Sequence, residues 1–191
     1  MENITIEELQ GDSILQCKDL CNELMEFQQA KAVFHPECFD GMSFDTRMLP
    51  SYQGALRAQV LVAKVAGEPV GYVFSTIDEV EENARRYLPK WAPVVENSVG
   101  FYPDWLALPC KVGCLSNLYL RDAYRGSGLG HALTTMAMEW LGSFEDCSTA
   151  FVFISNGNDS ALRFYQRHGF SYSHEVYGGF IHAAVCNFTR S

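Results

Sequence analysis

Cations are scarce in this chain: 14 Lys and Arg stand against 23 Asp and Glu among 191 residues, a net charge of -9. A field of that sign repels phosphate backbones. It disfavours nucleic acid as the main partner and favours cationic small molecules or basic peptides. Long apolar runs are also missing. The longest fall far short of a bilayer's thickness, and the opening MENITIEELQ lacks the basic start and apolar run of a secretory signal. The expectation is a cytoplasmic protein with no membrane segment. Nor is there a C-x-x-C pair: Cys17 and Cys21 are four apart, as are Cys110 and Cys114, whereas a zinc site wants a tighter pair plus a second one. Seven cysteines, an odd number scattered through core-like segments, suit reduced thiols acting as small apolar residues rather than a disulfide frame or a metal site. No repeat or low-complexity tract occurs. What is present is apolar material, with 48% hydrophobic and 13% aromatic residues. Over this length that builds one domain with a sizeable core, residues 1–191, and excludes disorder.

The periodicities alternate between strand and helix. Residues 3–9 read as a short strand. From Asp12 the spacing turns helical, with Ile14, Cys17, Cys21, Leu24 and Gln28 on one stripe and Asp12 or Ser13 as the cap. HPECFDG breaks that helix, and a shorter one is expected over 45–57, started or interrupted near Pro50. A hairpin follows, 58–65 and 70–77. Residues 78–110 lose the pattern. They hold Pro89, Pro93, Pro103 and Pro109 and the acidic cluster Asp78, Glu79, Glu81 and Glu82, which can open a short helix. This stretch reads as an insertion or long loop, and such loops are often functional. Residues 111–120 form a nearly continuous apolar strand, as expected for one buried on both faces. Then come a helix from Leu129 through Trp140 to Gly142, a buried strand at 148–155, a short helix at 158–170 ending at Gly169, and a final hairpin around Gly178-Gly179. That order is α/β with a mixed sheet.

The segment Y-R-G-S-G-L-G-H-A-L, residues 124–133, puts three glycines at the mouth of a helix. The first N–H groups of a helix lack partners and its dipole is positive there, so bare backbone makes an anion site. Two phosphate loops fail by letter. No Lys follows the glycines, which excludes the Walker type; Gly126, Gly128 and Gly130 space as G-x-G-x-G, not the dinucleotide G-x-G-x-x-G. A tight, closely packed strand-to-helix turn explains the glycines equally well.

Two motifs together resolve the choice. R-G-S-G-L-G, Arg125 to Gly130, resembles the R/Q-x-x-G-x-G/A signature of the GNAT superfamily of N-acetyltransferases. N-D-S-A-L-R-F-Y-Q-R-H-G-F, from Asn158, resembles that family's N-x-x-A-x-x-x-Y-x-x-x-G-F. The order is right and one strand separates them. The resemblance implies a mixed, mostly antiparallel central sheet flanked by helices, an insertion between the third and fourth main strands, and acetyl-CoA as donor. It implies that the amides of Gly126, Ser127, Gly128, Leu129, Gly130 and His131 hold the diphosphate, that the main chain of Leu118, Tyr119 and Leu120 pairs with the pantetheine arm, and that Asn158 contacts the cofactor. Asn158 is equally explained as a helix cap, and Arg125 either neutralises phosphate or is a solvated loop cation. The family's position for the general acid falls on Tyr165; a phenol is protonated at neutral pH and suits donation to a leaving thiolate.

The base is not readable. Phe153 stands where some relatives carry a glutamate, and strand 111–120 has no acid. Asp104, Glu175, His174, His35 or a water chain remain as candidates. The acceptor, a small amine or a peptide N-terminus, is expected to enter between HPECFDGMSFD, the insertion and SHEVYGGF. There Trp91, Tyr102 and Trp105 can line a pocket, cover the core or meet a second subunit of a homodimer. The missing acid keeps open a non-catalytic acyl-CoA sensor, and a transferase using another acyl carrier is a third reading.

Overall fold

The computed structural model describes residues 4–189. One sheet contains β1 (Ile4–Leu9), β2 (Arg57–Val65), β3 (Glu68–Val80), β4 (Cys110–Leu120), β5 (Cys147–Ser155), β6 (Ser171–Val176) and β7 (Ile181–Asn187). Among the described residues four α-helices flank it: α1 (Lys18–Lys31), α2 (Leu49–Gly54), α3 (Leu129–Gly142) and α4 (Asp159–Gln166). The strand order is β1-β2-β3-β4-β5-β7-β6. Every neighbouring pair is antiparallel except β4 with β5. A parallel pair needs a crossover, and α3 supplies it.

Both faces of the sheet are covered, which is why β4 lacks an alternating pattern. On one face Val73, Ile77, Leu115, Val152 and Ile154 pack with Leu133, Ala137 and Leu141 of α3 and Tyr165 of α4. Gly113 makes room there. A Cβ on it would come within 3.0 Å of Leu141 Cδ2 and 3.3 Å of Ala150 Cβ. On the other face Val60, Val62, Tyr72 and Phe74 meet Leu20, Cys21 and Leu24 of α1 together with Phe44 and Met48. The stripe expected on the first helix is therefore the buried one, but its opening is tighter than an α-helix. Gly11–Cys17 form a 3-10 stretch, begun where Ser13 Oγ accepts from the Gln10 N–H at 2.8 Å and donates back to the Gln10 carbonyl at 2.7 Å. The second expected helix divides in two. Phe44–Met48 make a π-helical turn and α2 follows through Pro50.

β3 runs three residues beyond its expected end. Asp78, Glu79 and Val80 pair with Val112, Lys111 and Cys110 of β4, so half of the acidic cluster, Asp78 and Glu79, belongs to a strand. Only Glu82–Arg86 turn helically, as a short 3-10 stretch. The insertion then spans 81–109 without a strand. It is pinned where the Arg85 guanidinium donates to the carbonyls of Pro103 and Leu106, and where the Tyr177 hydroxyl donates to the Tyr87 carbonyl at 2.9 Å. Trp91 and Phe101 of the insertion pack against Tyr177 and Phe180 of the last hairpin. No helix among the described residues is long and apolar enough to cross a membrane.

Two features open the sheet. β4 and β5 pair only as far as Cys114 with Phe151, then part. In addition, the register with β3 slips so that Ser116 has no partner between Leu115 and Asn117, a β-bulge of the kind common beside active sites.

Candidate active site

The glycine loop follows β4 after a single 3-10 turn, Asp122–Tyr124. Gly126 and Gly128 have φ of 76° and 88°, a region side chains rarely adopt, and a Cβ on either would meet no atom within 4 Å. Their bareness therefore serves the backbone and the open space before it. Gly130 differs: its Cβ would lie 3.3 Å from Leu120, so it lets α3 approach the strand. Among the described residues, nothing accepts a hydrogen bond from the N–H groups of Gly126, Ser127, Gly128, Gly130 or His131. Ser127 braces the loop, its hydroxyl donating to the Tyr124 carbonyl at 2.7 Å, and the Leu129 side chain is buried in the core.

In front of these amides lies a groove of about 440 Å³. Leu118, Tyr119 and Leu120 form one wall, with Phe164, Tyr165 and Asn158 on another. Arg125 lies on its rim as neither a free loop cation nor an unencumbered one. Its Nε donates to the Leu120 carbonyl at 3.0 Å, its fork pairs with Asp122 at 2.7 Å, and its plane covers Phe27. Asn158 occupies the position expected of a helix cap, yet its side chain caps no backbone N–H and instead accepts from the Ser160 hydroxyl at 3.1 Å. Asn158 thus lines the groove without closing the helix end. His131 Nδ1 meets His168 Nε2 at 2.8 Å beside the loop. His168 Nδ1–H donates to the Phe164 carbonyl at 2.9 Å, so its Nε2 accepts from His131.

Tyr165 is held by the end of its own helix. Gly169, at φ 87°, terminates α4; the Phe170 N–H donates to the Tyr165 carbonyl at 3.1 Å and the Gly169 N–H to that of Gln166 at 3.3 Å. That is a Schellman ending, and its apolar contact is the Tyr165–Phe170 ring pair at 5.7 Å. Burial, reinforced by the neighbouring Cys114, raises the phenol's pKa, so it stays protonated. Among the described residues its hydroxyl has no hydrogen-bond partner.

A second hollow, of about 230 Å³, lies a few residues back along the same strand. Cys114, Ser116 and Asn117 line it where Leu118 to Leu120 line the groove. Its wall also carries Trp91, Phe101 and Tyr102 from the insertion, Phe153 and Ser155 from β5, Phe180 from the last hairpin, and Thr76 and Asp78 from β3. Asp78 belongs there by strand alternation, sharing its face with Phe74 and Thr76. Burial raises its pKa, partly offset by the Thr76 hydroxyl, which donates to Asp78 Oδ2 at 2.7 Å. Burial also pushes the Cys114 thiol up to about 12, so it is not a thiolate nucleophile at neutral pH.

The sequence profile of the acetyltransferase (GNAT) family matches residues 20–170. The chain belongs to the GNAT acetyltransferase family. It is therefore an acetyl-CoA-dependent acetyltransferase acting on amines, and the partnerless amides of the glycine loop fit an anionic donor. Its fold is shared with PaiA N-acetyltransferase from Thermoplasma acidophilum in complex with coenzyme A, at a TM-score of 0.64 and 14% identity over 97% of this chain and 99% of that one. It is also shared with Naa50 from Arabidopsis thaliana in complex with the bisubstrate analogue CoA-Ac-MVNAL, at a TM-score of 0.61 and 12% identity over 97% and 99%. No curated protein matches the chain in sequence.

Within this GNAT acetyltransferase, the base candidates read from the sequence lie off the site. Asp104 is fully exposed beside Arg85 at 3.9 Å, and His35 is exposed and bound to Glu37 at 2.9 Å. His174 Nε2–H is committed to the Gly100 carbonyl at 3.0 Å, and Glu175 is exposed. None of them lines the hollow. Asp78 does line it, because β3 continues through Val80 in place of the helix start expected there, and the alternation Phe74, Thr76, Asp78 is the signal for this in the sequence. Trp91 and Tyr102 are pocket walls, whereas Trp105 is half-exposed and covers Phe151. Arg47, unremarked in the sequence, is also on the wall.

Proposed function

We propose that this enzyme transfers acetyl from acetyl-CoA to the primary amine of a small molecule, by direct attack in a ternary complex. The carrying observation is that two hollows follow one another along β4 beyond its last pair with β5: Cys114, Ser116 and Asn117 border one and Leu118 to Leu120 the other. In this reading the amides of residues 126–131 grip the diphosphate, and the β4 edge past Cys114, unpaired on the β5 side, receives the pantetheine arm and polarises the thioester carbonyl. Arg125 adds a cation at the rim. Asp78 takes the ammonium proton, since a carboxylate of raised pKa is a better base than a surface one. Tyr165 donates its proton toward the leaving thiolate. Asp78 in the role of base weighs against a non-catalytic sensor.

The enclosing insertion supports a small acceptor rather than a long peptide. The hollow is below the about 300 to 1,000 Å³ usual for drug-sized ligands. The test is release of CoA thiol across a panel of amines. Turnover that disappears in both Gly128→Val and Asp78→Asn is the expected result. Tight acetyl-CoA binding with no turnover on any amine would overturn the enzyme reading in favour of a sensor.

A further inference from the structure

Arg47 stands out as a cation in the acceptor hollow with no anion of its own. It comes from the π-helical turn Phe44–Met48, whose ends are locked: Phe44 and Met48 are 0% and 1% exposed, and the Phe44 N–H donates to Asn22 Oδ1 at 2.8 Å. Such turns recur at functional sites. The guanidinium lies 4.1 Å from the centre of the Trp91 ring, which stabilises its charge from one face and leaves the donors on its edge free. Burial works against that charge, and no carboxylate is among the groups that act on it. Among the described residues Arg47 makes no ion pair, in a chain with an excess of carboxylates. Asp45, two residues away, is taken by Lys18 at 2.7 Å. Asp78 shares the hollow but does not pair with Arg47. Ser155, also on the wall, has a buried hydroxyl with no hydrogen-bond partner among the described residues.

We infer that the acceptor is a small zwitterion, an amine that carries its own carboxylate, with Arg47 as the residue that reads the carboxylate. This rests on the proposed function above and narrows it. A half-buried cation without a counter-charge is costly, and a substrate carboxylate supplies both the charge and the acceptor oxygens for the guanidinium fork. The amine then belongs on the Asp78 side. A polyamine would bring a second cation against Arg47. A peptide N-terminus would leave its nearest backbone carbonyls, uncharged, in the carboxylate's place. The methionine and aromatic wall, Met25, Met42, Phe74 and Phe153 among others, suits an apolar side chain on the same molecule.

The test compares free amino acids, each with its carboxamide and its decarboxylated amine, for example phenylalanine, phenylalaninamide and 2-phenylethylamine. Acetyl-CoA binding is measured separately by calorimetry. The wild type should favour its best acid over the matched amine by about 10- to 100-fold in kcat/KM, the range of a charge-assisted hydrogen bond. Arg47→Met should bring that ratio near one, chiefly through KM, with the acetyl-CoA Kd unchanged. Arg47→Lys should keep part of the preference, which separates lost charge from lost packing. Equal use of acid and amine by the wild type overturns the inference. So does an unaltered ratio in Arg47→Met, turnover of amines with no acid accepted, or a better substrate in O-phosphoethanolamine than in any carboxylate. If acetyl-CoA itself does not bind, the donor reading is the one that fails and this inference falls with it.

Discussion

Replacing Asp78 by Asn separates the chemistry of the acceptor hollow from its shape. The amide is nearly isosteric and its oxygen can still accept the Thr76 hydroxyl, now 2.7 Å from Oδ2. Only the charge and basicity go. An alkyl amine of pKa about 10.4 is neutral about once in a few thousand at pH 7, a deficit of roughly 4 to 5 kcal/mol. A positioned base recovers part of it, typically about 100- to 10,000-fold, or about 2.7 to 5.4 kcal/mol of barrier. The variant's kcat/KM at neutral pH should fall by that factor, with the acetyl-CoA Kd unchanged. Thiol release followed from neutral to alkaline pH should show the gap narrowing, because the amine increasingly arrives without its proton. Stability should move the other way. Burial raises the folded pKa of Asp78 above its ordinary 3.8, so the folded chain binds that proton more tightly than the unfolded chain. The group's contribution is therefore most favourable below the ordinary value and declines as pH rises to the folded one. Above that window the buried charge is a fixed cost, and Asp78→Asn relieves it. The Tm at pH 7 should be at or above wild type while activity collapses. An unchanged neutral-pH rate, or the same fold-loss at every pH, would refute Asp78 as the base.

Gly128→Val puts a β-branched residue at φ 88° and a side chain into the open space before the amides; CoA binding by calorimetry should be lost while the circular dichroism of the fold persists. Normal CoA affinity in that variant would undo the diphosphate assignment. Tyr165→Phe should lower kcat by about 100- to 10,000-fold through loss of the acid, with donor affinity retained; an unchanged kcat would remove Tyr165 from the chemistry. Asn156→Ala should destabilise the fold by about 2 to 3 kcal/mol in denaturant titration. Its side chain accepts from the Val33 and Phe34 N–H groups at 2.7 and 2.8 Å and donates to the Phe34 and Phe180 carbonyls at 3.0 and 2.9 Å, tying the chain after α1 to the end of β5. A loss near zero would mean that water replaces those bonds without cost.

The glycine loop and the groove proposed for the donor were legible in the letters because they are local. A buried strand, glycines at the following helix mouth, and a second helix ended by Gly169 each occupy a contiguous stretch, and their chemistry belongs largely to the backbone, whose geometry short motifs dictate. The position of Tyr165 followed from the same local lock. The acceptor half was not legible for the opposite reason. Its wall gathers β3, the π-helical turn, the insertion, β4, β5 and the last hairpin, and its charged groups carry no motif. Asp78 looked like one of four surface acids until pairing with β4 extended β3 past it and directed every second side chain inward. Arg47 carries no motif at all, and only the insertion, by bringing Trp91 against it, singles it out. Residue type and spacing determined where the backbone leaves amides without partners; strand registry and loop docking, set by contacts between distant segments, decided which charges lose their water.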